Sequence, residues 1–92
     1  MTQVTLNFTG HVRSRMRTGK MAFAFRGSTL GELLKAFFEQ YDVRELLLDE
    51  QDKPKPYARL VVNGRFSEFV GGLGALIQPE DTITLINPFF VM

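Results

Sequence analysis

Few side chains in this sequence of 92 residues could carry chemistry. There is no cysteine, which removes disulfides, thiolate metal sites and a cysteine nucleophile. His11 is the single histidine, has no metal-binding companions in sequence and reads as a surface or hairpin residue. No Ser-His-Asp set, phosphate-binding glycine loop or carboxylate pair spaced for acid–base work is present. Arg13, Arg15, Arg17 and Lys20 alternate positive charge along a polar stretch, a pattern able to contact phosphate, RNA or an acidic surface. With no interleaved aromatics and a formal net charge of +1, the stretch reads better as a solvated loop. The strongest candidate is instead Phe89, Phe90, Val91 and Met92, four apolar residues in a row. Left exposed, such a cluster marks an interface. The competing reading folds Phe89 or Phe90 back over the domain. Arg65, just after a tight-turn signal, can pair with a partner's carboxylate or merely flank the turn.

These residues must be held by a small set of elements. Val4, Leu6 and Phe8 alternate with Thr5, Asn7 and Thr9, the period of a half-buried strand. Met21, Phe23 and Phe25 repeat the pattern, and the polar stretch from His11 to Lys20 between them reads as a hairpin loop. Thr29 followed by Glu32 is a capping box. Leu30, Leu33, Leu34, Phe37, Phe38 and Tyr41 then keep helical spacing, which predicts an amphipathic helix over 30–41 with its stripe on a sheet. Asp42 can cap a shorter turn through Leu46 to Leu48, and Asp49 to Pro56 reads as a loop. Tyr57 to Val62 is a third strand, expected to be central, and Asn63-Gly64 is a tight turn into a short strand. Gly71 to Gly74 is an irregular crossing, Pro79-Glu80-Asp81 a turn, and Thr82 to Asn87 a last strand with Ile83 and Leu85 facing one way.

The order β-β-α-β-β-β with one long helix predicts an α+β domain spanning 1–92, a mixed sheet of roughly five strands with the helix on one face. Its length suits one domain. No apolar run approaches the roughly 18 residues of a membrane span. Met1 to Val4 lacks the basic start of a secretion signal, so a cytoplasmic protein is expected.

Leu60-Val61-Val62-Asn63-Gly64-Arg65, then Gly72-Leu73, Leu76, Asp81-Thr82-Ile83-Thr84-Leu85 and Pro88, resemble the pattern of the molybdopterin synthase small subunit and its thiamine-pathway relative. The helix start Ser28-Thr29-Leu30-Gly31-Glu32-Leu33-Leu34 and the early strand ending in Phe25 match it too. The likeness to these MoaD/ThiS-like, ubiquitin-related sulfur carriers runs over essentially the whole chain. It implies the β-grasp fold, in which Phe66 and Phe69 would line the sheet face used for recognition, the competing reading being that they are ordinary core. It also implies a diglycine terminus whose carboxylate is adenylated and converted to a thiocarboxylate. Glycine belongs there because the tail must thread a narrow channel. Here Val91 and Met92 stand at that position, and Glu80 stands where the family has glycine in the turn. Gly71-Gly72 is no substitute, since cleavage after it would remove the last strand, expected to be the sheet's central hydrogen-bonding partner.

Two functions are therefore expected, in order. The first is a non-catalytic, ubiquitin-like binding protein, a small subunit or regulator docking into a larger enzyme through Arg65, Phe66 and the tail from Phe89 to Met92. The second is a sulfur carrier in molybdopterin or thiamine biosynthesis. On either reading the chain is not an enzyme and needs no cofactor or metal. Its partner is a molybdopterin-type or other multi-subunit enzyme, or an adenylating enzyme. Nucleic acid and membrane are not expected partners, and the edge strands leave self-association open.

Overall fold

The alternation of Val4, Leu6 and Phe8 becomes β1 (Thr2–Thr9), with those three side chains buried. A computed structural model describes residues 1–87. β2 (Lys20–Phe25) runs antiparallel to β1, with Phe23 opposite Val4 and Met21 opposite Leu6.

The connection between them is not the expected loop. It holds a short helix, α1 (Gly10–Met16). Val12 is fully buried in the core and Met16 packs against it. A spacing of four places both on one helical face. Arg13 and Arg15 occupy the last turn, where positive charge complements the carbonyl end, and Arg17 closes the helix at φ 61°. Two apolar residues among many polar ones are too few for the helical period to show in sequence.

α2 (Leu30–Gln40) begins at the expected capping box. Thr29 Oγ1 accepts from the Glu32 N–H at 3.2 Å, and Glu32 Oε1 accepts from the N–H of Thr29 at 3.2 Å and of Ser28 at 3.0 Å. Those bonds, the Ser28 N–H first and then the Thr29 hydroxyl and N–H, hold the Glu32 carboxyl below its ordinary range. Leu30, Leu33, Leu34 and Phe37 are buried. Phe37 stacks on Phe8 with centroids 5.8 Å apart and meets Phe23 edge-on at 5.4 Å. Phe38 and Tyr41 cover the margin of this core.

A single 3-10 turn (Arg44–Leu46) follows, flanked by buried Val43, Leu47 and Leu48. Then β3 (Arg59–Val62) turns through Asn63 and Gly64 into β4 (Arg65–Phe66). Both turn residues have positive φ, 50° and 84°, which fits a two-residue turn matched to strand twist. Further 3-10 turns (Ser67–Phe69 and Gly72–Gly74) lead to β5 (Thr82–Asn87). A methyl at Gly31 would lie 3.2 Å from the Leu73 carbonyl oxygen, so glycine lets the second of these turns close on α2.

The sheet order is β2–β1–β5–β3–β4, with β5 parallel to β1 and antiparallel to β3. β5 is the central strand, as expected of the last strand, and β3, also expected to be central, is interior, paired with β5 on one side and β4 on the other. β3 is short and looks central by composition. β5 buries Ile83 and Leu85 on one face, keeps Thr84 and Ile86 half-buried on the other, and pairs on both edges. The helix α2 against this mixed sheet is the β-grasp, ubiquitin-like fold. Among the described residues no helix is long and apolar enough to cross a membrane.

Candidate partner surface

Because side chains alternate along strands, burial of Leu60 and Val62 puts Val61 on the face away from α2. Cross-strand pairing then builds a row over that open face: Phe66 beside Val61, Val61 beside Thr84, Thr84 beside Asn7, and Asn7 beside Lys20. A second row runs Arg59, Ile86, Thr9. Phe66 is 43% exposed and its ring lies 6.3 Å from that of Phe69, which is 77% exposed. Together they form an aromatic corner at the β4 edge of the open face.

Arg65 is opposite Val62 and so belongs to the other face, at a rim cavity of about 450 Å³ that it shares with Leu76, Gln78 and Asp81. The structure thus splits Arg65 from Phe66: neighbours on one strand, they point to opposite sides. Phe89, Phe90, Val91 and Met92 lie outside the described residues.

The segment bearing them starts from a well-held root. Asn87, at the end of β5, is 2% exposed and its Nδ2 donates to the Leu46 carbonyl. Its backbone also bridges in parallel to Gly10. Asn87 Oδ1 has no hydrogen-bond partner among the described residues. The second row of the open face adjoins this root, and Arg59 in that row is tied down, donating to the carbonyls of Pro56 at 2.8 Å and Ala58 at 2.9 Å. The sequence carries a signal for Asn87: it continues the inward period of Ile83 and Leu85 with a polar side chain.

The basic stretch does not form one positive strip. Arg13 and Arg15 sit about 200° apart around α1. Arg15 donates to the Asp42 carbonyl at 2.7 Å and lies 3.5 Å from the Glu45 carboxylate, which neutralises it locally. Among the described residues there is no group of acidic, histidine or cysteine side chains able to hold a metal.

No family model and no curated protein matches the chain by sequence. Solved structures do. Small archaeal modifier protein 1 from Methanosarcina acetivorans superposes with a TM-score of 0.82 at 16% identity, covering 100% of this chain and 98% of its own. CysO matches both alone, from Mycobacterium tuberculosis (TM-score 0.76, 25% identity, 94% of this chain and 99% of that one), and in a BexX/CysO complex from Amycolatopsis orientalis (0.77, 22%, 97% and 99%). A Pyrococcus furiosus protein assigned as molybdopterin converting factor, subunit 1, matches with a TM-score of 0.72 at 13% identity over 97% of this chain and 100% of that one. The resemblance to MoaD/ThiS-like, ubiquitin-related proteins read from the sequence therefore holds, and it holds along the whole fold.

These neighbours also correct the first functional expectation. A modifier protein, CysO and a molybdopterin converting factor subunit favour the sulfur-carrier reading over a non-catalytic docking subunit, which is withdrawn. That expectation rested on side chains at Val91 and Met92, residues that govern how a tail fits a channel.

Proposed function

We propose that the protein is a MoaD/ThiS-like sulfur carrier, a carried substrate rather than an enzyme, whose mature C-terminal carboxylate is the reacting group. The observation that supports this is the end-to-end likeness to CysO and the molybdopterin converting factor subunit, with β5 central and its last residue anchored. A central strand gives the segment beyond it a rigid origin, so a partner that grips the open face receives the tail at a defined place.

A free carboxylate is a poor acyl donor, because oxide is a poor leaving group. Attack of the carboxylate on the α-phosphate of ATP expels pyrophosphate and yields an acyl-adenylate. Hydrosulfide then adds to the carbonyl, AMP leaves, and a thiocarboxylate remains. The ATP site and the acid–base groups belong to the partner, in keeping with their absence from this sequence. Diglycine serves passage and not this chemistry, so Val91 and Met92 bear on the width of the partner's channel rather than on the reactivity of a carboxylate. Docking with a larger enzyme follows, as CysO docks with BexX in its complex. Phe66 and Phe69 are the apolar part of the surface such a partner would cover. The cytoplasm, where ATP is supplied, is the compartment this reading implies.

Intact-mass measurement tests it. The protein, incubated with an adenylating enzyme from its host, ATP, magnesium and sulfide, is expected to gain the mass difference of sulfur for oxygen at its C-terminus. An unchanged mass, with no pyrophosphate released, would overturn the reading.

A further inference from the structure

The sheet has one long open edge. β2 is the outermost strand on its side, and Phe8 N–H donates to Gly19 O at 2.9 Å, which sets the phase of the β1–β2 ladder. Alternation then turns the backbone groups of Met21, Phe23 and Phe25 toward β1 and those of Lys20, Ala22 and Ala24 outward. Thr18 closes the first of these: its hydroxyl donates to Lys20 O at 3.0 Å and accepts from Lys20 N–H at 3.4 Å. Ala22 and Ala24 remain, both exposed, and among the described residues no backbone pairs with their outward N–H and C=O groups. Edges are normally blunted by charge, proline or a bulge. Across Ala22 and Ala24 this edge has none of these.

The charges lie at its two ends. Lys20 begins β2, with the Arg13 side chain against the preceding Gly19, and Arg26 follows its end. Glu32, the acid beside Gly27, is committed to the capping box. Between β2 and α2 runs a groove of about 450 Å³ with Ala24 and Ala36 in its lining and Lys35 and Glu39 on its helix side. Self-pairing that uses both alanines of both copies must centre on Phe23. That register sets Lys20 against Arg26 at each end, and like charges directly opposite destabilise a sheet.

We propose that the β2 edge takes up an extended, acid-flanked segment of a partner protein as an added strand. Ala22 and Ala24 supply the main-chain bonds. The groove beside α2 receives alternate apolar side chains of the segment, and Lys20 and Arg26, about 20 Å apart, meet acids at its ends. The surface is separate from the β5 end and does not rest on the sulfur-carrier reading.

Nuclear magnetic resonance titration with a synthetic peptide of alternating valines, flanked at each end by aspartates, tests this. Binding should shift the Ala22 and Ala24 amide signals and slow their hydrogen exchange. Ala22→Pro removes an outward N–H, a place where edge strands tolerate proline, and should weaken binding by about tenfold or more. Should that variant fail to fold, Lys20→Glu combined with Arg26→Glu gives an independent reading: preference should switch to the same peptide flanked by lysines. No change at Ala22 and Ala24, undiminished binding by folded Ala22→Pro, or equal binding of both peptides would overturn the proposal. So would a peptide-free dimer in sedimentation that Ala22→Pro dissolves, since the edge would then serve a second copy.

Discussion

Asn87 reaches from the last residue of the central strand to the carbonyl of Leu46, and it does so from inside the core, at 2% exposure. The bond ties the end of β5 to the 3-10 turn that follows α2. Removing the amide should strand the Leu46 carbonyl. Asn87→Ala is expected to cost about 1–3 kcal/mol in denaturant unfolding. Asn87→Asp should cost more, because a buried carboxylate would face that carbonyl, and part of the loss should return at acid pH as the group protonates. Equal stability of Asn87→Asp and wild type would show the contact to be unimportant.

The capping box gives a pH signature with a definite sign. Glu32 is held below its ordinary value of 4.5, chiefly by the Ser28 N–H, so its ionised form is favoured in the folded protein. Its contribution is full above the unfolded value and fades as pH falls through the lower folded one. Asp49 behaves alike, held below 3.8 by the N–H groups of Lys53 and Gln51. Urea midpoints measured down the acid limb should fall, and Glu32→Gln should flatten part of that fall. Thr29→Ala should cost about 1 kcal/mol at neutral pH.

Glu80 and Gly64 both sit at positive φ, 71° and 84°, and should respond oppositely to exchange. Glu80→Gly relieves a left-handed conformation but adds freedom to the unfolded chain, for a net gain of about 0.5–1 kcal/mol. Gly64→Ala imposes the same strain and should lose about 1 kcal/mol or slightly more. Thermal unfolding of the two variants checks the pair, and a loss on Glu80→Gly would mean that Glu80 makes a compensating contact.

Val12 distinguishes a packed helix from a loop between β1 and β2. Fully buried, it should lose about 1.5–2 kcal/mol on truncation to alanine, from the methyl groups removed. A solvated loop would lose almost nothing, and chemical denaturation separates the two.

The elements that were legible in sequence are those governed by local rules. Thr29 and Glu32 announced the start of α2 because a capping box closes within one turn, and Leu30 to Phe37 announced its buried face because helical period is local. Val4, Leu6 and Phe8 did the same for β1, and Asn63-Gly64 for the turn. The helix α1 was not legible. Only Val12 and Met16 speak for it, and the helix packs on β5, distant in sequence, as well as on the neighbouring β1.

Amino-acid order by itself determined the class of fold, the main helix and the resemblance to sulfur carriers, since period, caps and turn residues act over a few positions. Tertiary structure decided the rest. The registers of β5 against β1 and β3 join strands across long stretches of chain, which composition does not encode. Which of Arg65 and Phe66 meets the open face, and the burial of Asn87, depend on which face each strand turns to the core. The open backbone of Ala22 and Ala24 exists because, among the described residues, no strand lies beyond β2, a property of the whole sheet that no window of sequence contains.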